Sequence, residues 1–316
     1  VETIMEFRQL RYFVAIAEHG AFSKAAEKVF VAQSALSHQL AMLEEELGVR
    51  LLHRTRRGVE LTDPGRTFLA HATSILRQAE DARSSVLSLT GEPSGKVVFG
   101  VPHSVSNALA LPLLQAVRQQ YPKIELELTE ELTGNLIPQL RTGQLNLAIL
   151  FDDGGLAEFA CTRIATERLC LIGKADPGQR SAAKSISLKK ALARPLILPA
   201  DPHGVRPIIE AAARREGYGP PNVVADISSI SILRTSLLAG FGQTLLPVMP
   251  LQQDIAAGLL TATPITSPAL SRVVALCTSR HIPVSSAAAA VSALTIQLVQ
   301  TLCTDGNWLD ATPIVP

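Results

Sequence analysis

The chain has 316 residues, with 29 Lys and Arg against 28 Asp and Glu, for a formal net charge of +1. At about 150 residues per domain this length suggests two or three packed domains. With 18% charged residues and a mean hydropathy of +0.23, the chain is too apolar to be largely disordered. The balanced charge argues against a uniformly basic coat for nucleic acid, and the 4% aromatic share argues against a base-stacking platform for single strands. Four cysteines, Cys161, Cys170, Cys277 and Cys303, do not make a disulfide scaffold and suit a reducing compartment. Phe7, Leu10, Phe13, Val14 and Ala17 alternate with Arg8, Arg11 and Glu18, unlike the unbroken apolar core of an export signal. Residues 284–299 are apolar but diluted by serines and a glutamine, which reads as a buried or half-buried helix and not a membrane span. The expectation is a cytoplasmic chain with no membrane contact.

In chain order, residues 6–47 carry three helical patterns. The first has an apolar stripe from Phe7 to Ala17 and ends at Gly20. The second runs from Ser23, its expected cap, to Val29, with Ala25 and Ala26 inward. The third places Leu36, Leu40, Leu43 and Leu47 on one face and stops at Gly48. Two short helices across a tight turn, the second amphipathic, make a helix-turn-helix. The polar face of that second helix shows Gln33, Ser34, Ser37, His38 and Gln39, small or hydrogen-bonding side chains suited to a major groove. Residues 49–62 read as a hairpin wing with Arg50, Arg54, Arg56 and Arg57 around its turn. A long helix follows, with Asp63 as cap, Pro64 in its first turn and Gly91 as terminator. Phe68, Ala72, Ile75, Ala79, Ala82, Val86 and Leu89 recur at steps of four and three, a coiled-coil seam that predicts homodimerisation. Beyond a linker at 92–95, strand patterns at 97–101, 124–129, 145–151, 169–173, 196–199, 223–227, 244–246 and 273–278 alternate with helical stretches such as 106–120 and 206–216. This predicts parallel α/β sheets in two small lobes.

Several blocks of these residues resemble LysR-type transcriptional regulators. They are Arg8-Gln9-Leu10-Arg11-Tyr12-Phe13, Gly20-Ala21-Phe22-Ser23-Lys24-Ala25-Ala26, Ala32-Gln33-Ser34-Ala35-Leu36-Ser37-His38-Gln39-Leu40, Leu51-Leu52-His53-Arg54 and Leu61-Thr62-Asp63-Pro64-Gly65. Later signposts agree, among them Gly143-Gln144-Leu145-Asn146-Leu147-Ala148-Ile149 and Gly240-Phe241-Gly242. The resemblance implies an α/β fold with an N-terminal winged helix-turn-helix (1–62), a long dimerising linker helix (63–92) and a two-lobed effector domain like periplasmic binding proteins. Its lobes would be 93–167 with 270–316, and 168–269. It also implies double-stranded DNA with a dyad-symmetric operator as partner, self-association as homodimer or tetramer, a small-molecule effector, and RNA polymerase as a further partner. Gln33, Ser34, Ser37 and His38 would face bases, with Arg8, Arg54, Arg56 and Arg57 near phosphates. Many members carry Arg where this chain has His38, and a neutral imidazole offers one donor and one acceptor against a guanidinium fork, so the base preference there is its own.

Residues 102–107 follow the first strand and open a helix, a place where free backbone N–H groups and hydroxyls suit a small anion. The resemblance implies that this is the effector cleft, with Thr133 at the next loop and His203 and Arg206 on the facing lobe, so Ser104, Thr133, His203 and Arg206 are the candidate effector contacts. Around Ile227-Ser228-Ser229-Ile230 the effector region is similar to the nitrogen-assimilation-control branch, which implies as an alternative a cleft that takes no ligand. A solute-binding or enzyme domain with a vestigial DNA module is the reading from a different class. Against it, there is no Gly-x-Ser-x-Gly elbow and no His-Glu-x-x-His helix, so no catalytic residue is assigned. The dispersed histidines show no metal-ligand spacing, Gly240-Phe241-Gly242 is not a dinucleotide site, and no metal or cofactor is expected. Cys161 and Cys170 read as small buried hydrophobes.

Overall fold

The structure, a computed structural model, describes residues 5–55, 58–87, 92–152, 154–175, 185–200 and 204–314. The chain divides into two compact units, Val1–Leu89 with Thr142–Gln144, and Thr90–Arg141 with Leu145–Pro316.

The first unit opens with α1 (Phe7–His19), α2 (Phe22–Lys28) and α3 (Gln33–Leu47). A capping box starts α1, in which the Glu6 N–H donates to Gln9 Oε1 at 2.9 Å. Gly20, at φ 63°, ends it in the left-handed conformation that closes a helix. Apolar positions at three- and four-residue spacing bring Leu10, Phe13, Ile16, Leu36, Leu40 and Leu43 into one core. Each fully buried side chain of this size contributes about 1.5–3 kcal/mol. Two expectations shift here. Ser23 lies inside α2, whose cap position is held by Ala21, and Leu47 is exposed at the end of α3. The wing is an antiparallel pair, β1 (Leu52–Thr55) and β2 (Gly58–Leu61), with Leu52 opposite Leu61. The turn end of β2 is tied to the α1–α2 turn, because the Val59 N–H donates to Gly20 O at 2.8 Å. A Cβ at Gly58 would come within 2.4 Å of that same oxygen, so no side chain fits there.

The long helix α4 spans Asp63–Leu87. Its cap is Thr62 and not Asp63: the Thr62 hydroxyl accepts from the Gly65 N–H at 2.9 Å and donates to Arg50 O at 2.7 Å. Asp63 instead pairs with Arg66. Early in α4, Ala72 is fully buried and Phe68 meets Phe13 edge-on at 5.1 Å, so this part of the seam belongs to the unit's own core. Farther along, Ala82 and Val86 are exposed. Leu89 and the expected terminator Gly91 lie outside the described residues.

The second unit contains β3 (Gly95–Pro102), α5 (His103–Gln120), β4 (Ile124–Glu131), α6 (Thr133–Arg141), β5 (Leu147–Asp152), β6 (Phe159–Arg168) and β7 (Cys170–Lys174). It continues with β8 (Ile186–Ser187), α7 (Leu188–Leu192), β9 (Leu196–Leu198), α8 (Arg206–Arg215), β10 (Val223–Asp226), α9 (Ile230–Ala239) and β11 (Thr244–Leu246). It closes with α10 (Gln252–Ala256), β12 (Leu260–Ser267), β13 (Ser271–Ser279), α11 (Ser286–Thr304) and β14 (Ala311–Pro313). One sheet has six strands in the order β14-β6-β13-β5-β3-β4, and a second has four in the order β11-β7-β12-β8. Strand β5 shows why the first sheet is central. Leu147, Ile149 and Phe151 enter the core beneath α5 and α11, while Ala148 and Leu150 face Leu136 and Leu140 of α6. The second sheet has a separate core with Leu188, Ile209, Leu233 and Leu237 from its helices. Helix α11 is apolar and long enough to cross a membrane, and it buries Ala288, Val291, Leu294 and Val299 in the core of the first sheet.

Three expectations change in this unit. The sheets are mixed and not parallel throughout: β3 runs parallel to β4 and β5, but β13 is antiparallel to both β5 and β6. The reason is that the chain leaves the first sheet along β6 and returns along β13. Secondly, β6 carries threonines and charges, and β12 threonines and a proline, in place of an apolar run, and neither gave a strand signal in the sequence. Thirdly, Cys161 and Cys277 form a disulfide, their Cα atoms 4.2 Å apart on directly opposed positions of β6 and β13. That opposition depends on strand register, which a separation of 116 residues conceals. Cys170 and Cys303 are buried free thiols, and burial pushes Cys170 up to about 12 and Cys303 up to about 11.

Candidate functional site

In the first unit, α3 presents Gln33, Ser34 and His38 exposed and Ser37 half-buried, on the side opposite Leu36, Leu40 and Leu43. Arg54 projects from β1 and donates to Ser37 Oγ at 2.7 Å, with its guanidinium 4.7 Å from the Phe22 ring centre. Wing and helix thus offer one continuous polar surface. Arg8 is exposed and pairs with Glu6 at 3.0 Å. Arg56 and Arg57 lie outside the described residues. Arg50 is exposed, but its charge is paired with Glu44 at 3.0 Å.

Glu44 is a structural residue the sequence did not disclose, since it sits in an acidic run with Glu45 and Glu46. It is 7% exposed, and its Oε1 accepts from the Leu51 and Leu52 N–H groups at 2.7 and 3.2 Å. One buried carboxylate therefore fixes the wing against α3. Its position directly after Leu43, on the apolar side of the helix, was the available signal.

The second unit holds a small, half-open cleft of about 50 Å³. Its walls are mainly apolar, from Leu132, Phe151, Val205, Ile230, Leu233 and Leu246, and two helices, α5 and α6, begin at it. Ser104 and Thr133 both line it. Ser104 does not cap a helix; its Oγ accepts from the Arg272 guanidinium at 2.8 Å. Thr133 Oγ1 is buried and has no hydrogen-bond partner among the described residues. Arg206 does not line the cleft. It pairs with Glu210 at 2.5 Å and Asp226 at 2.9 Å, and these contacts raise its pKa. His203 lies outside the described residues.

Arg272, on β13, is the cleft residue that sequence reasoning missed. It is 2% exposed, pairs with the fully buried Glu167 at 2.6 Å, and stacks 3.8 Å from the Phe151 ring centre. Trp308 Nε1 donates to the other Glu167 oxygen at 2.8 Å. Burial lowers the Arg272 pKa while Glu167 opposes that shift. No motif marks this network, because its members come from β6, β13, α5 and the chain after α11.

A helix-turn-helix unit with a wing, followed by an α/β unit that carries a cleft, is the architecture of a DNA-binding transcription regulator with an effector-binding domain. Residues 7–66 match the bacterial regulatory helix-turn-helix protein family of lysR type, and residues 90–299 match the LysR substrate binding domain. The nitrogen assimilation regulatory protein nac of Escherichia coli is 33% identical over 299 residues, 94% of this chain and 96% of that protein. Full-length OxyR from Pseudomonas aeruginosa superposes with a TM-score of 0.72 at 25% identity, over 100% of both chains. Full-length CbnR in complex with its target DNA shares the fold, with a TM-score of 0.66 at 22% identity over 93% of this chain and 100% of that one. The chain belongs to the LysR family of transcriptional regulators.

Proposed function

We propose that the chain is a sequence-specific regulator that reads a dyad-symmetric operator through paired copies of α3 and is controlled by a small metabolite in the cleft of its second unit. The observation that carries the DNA half is the bond from Arg54 to Ser37, which unites wing and helix into one surface. Gln33, Ser34, Ser37 and His38 would meet base edges, and Arg8 and Arg54 phosphates. Support for a ligand comes from Thr133 Oγ1 at the start of α6, a buried hydroxyl with no hydrogen-bond partner among the described residues. The anion that the helix starts suggested fits less well than an uncharged polar group. Arg272 is already neutralised by Glu167, and Glu131 also lines the cleft. Arg206 leaves the candidate list for the same reason, since its charge is shared by two acids.

The experiment is a salt-resolved titration of wild type and Arg54→Ala against a duplex that the wild type selects from a random library. Loss of one phosphate contact should weaken binding and reduce the slope of log K against log salt by about 0.9. An unchanged slope would remove Arg54 from the phosphate contacts.

A further inference from the structure

Several helices among the described residues are closed by a left-handed glycine, among them Gly20 after α1, Gly48 after α3, Gly217 after α8 and Gly240 after α9. Helix α2 ends in the same way but with phenylalanine. Phe30 has φ 56°, its N–H reaches back to Glu27 O at 3.4 Å, and the Val31 N–H reaches Ala26 O at 3.0 Å. This pair of bonds is the Schellman closure, whose left-handed position normally takes Gly or Asn. A bulky side chain there is strained. The ring gains nothing from burial to offset that strain, because Phe30 is 93% exposed.

The ring's position is specific. Phe30 and Gln33, the first residue of α3, line one shallow surface hollow together with Ser23 and Glu27. An aromatic ring held out beside the start of the DNA-facing helix is continuous with the proposed DNA surface. Glu27 in the same hollow repels a phosphate, and a phenyl ring offers no hydrogen bond to a polar base edge, so an apolar part of the duplex is the matching partner. In the major groove that part is the thymine C5-methyl group.

We infer that Phe30 is a further specificity-determining residue, whose ring packs on a thymine methyl at the edge of each operator half-site. This rests on the DNA-binding reading above. The strain at Phe30 is then retained for recognition and not for folding.

The test uses the full chain and the duplex that it selects from a random library, with each thymine replaced in turn by deoxyuridine. Removing the contacted methyl should weaken wild-type binding about fourfold per half-site, the worth of one buried methyl-sized group. Phe30→Gly should bind the intact duplex more weakly by a similar factor, lose nothing further at that deoxyuridine, keep the wild-type salt slope, and melt no lower than wild type. Phe30→Asn, which also tolerates left-handed backbone, carries the same comparison should glycine loosen the turn. Unchanged affinity in both variants overturns the inference, as does a methyl effect that is the same with and without the ring. A reduced salt slope also overturns it, since it assigns the loss to a phosphate. A wild-type chain that enriches no duplex at all overturns the DNA-binding reading, and this inference with it.

Discussion

Arg272 shows what a single residue does in the effector unit. Its guanidinium is held by Glu167, Ser104 and the Phe151 ring, all inside the fold. Replacing Glu167 with Gln or Ala leaves that charge buried without a counter-ion, and should destabilise the unit by about 3–5 kcal/mol in denaturant unfolding. Combining Glu167→Leu with Arg272→Met should recover much of the loss, because an apolar pair avoids the desolvation penalty. Equal losses in the single and double variants would contradict this account. At this scale the sequence was partly legible. Ser104 was picked out from hydroxyls at a helix start and Thr133 from the family resemblance, and both line the cleft. Glu44, Glu167 and Arg272 were not, because burial of a charge depends on partners far along the chain. Arg272 and Glu167 are 105 residues apart.

Among the elements, the short helices of the first unit were the most legible, since an apolar stripe and a terminal glycine are local signals. Gly20 and Gly48 end α1 and α3 as their positions suggested. Strands β6 and β12 were not legible, because half-exposed threonine-rich strands carry no apolar run and their pairing is set by the rest of the sheet. Helix α4 yields a prediction of its own. Ala72 and Phe68 are used within the unit, whereas Ala82 and Val86 on the same seam remain exposed. A second α4 is the expected cover for them. Val86→Glu together with Ala82→Glu should shift the chain from dimer to monomer in light scattering and leave the melting of the first unit nearly unchanged. A dimer that persists would place the self-association elsewhere.

For the whole molecule, the net charge of +1 hides how charge is distributed. Both Arg50 and Arg54 are at the surface, Arg50 paired with Glu44 and Arg54 bonded to Ser37. Under the proposed function, a chain with so little excess charge would bind DNA at large weakly and draw its affinity from a defined surface, present twice in the proposed dimer. The organisation into a DNA-binding segment and an α/β segment was visible from the change in periodicity near residue 92. The antiparallel return through β13, and with it the Cys161–Cys277 bond, was not, because local periodicity does not specify strand order. The central claim is that α3 and the wing read a specific dyad. It is tested most directly by titrating the full chain, at about 0.15 M salt, with its selected duplex and with a scrambled duplex of the same composition. The account predicts a preference of at least about 10³ for the selected duplex, lost when Gln33, Ser37 and His38 are replaced by Ala; equal affinity for both duplexes would contradict it.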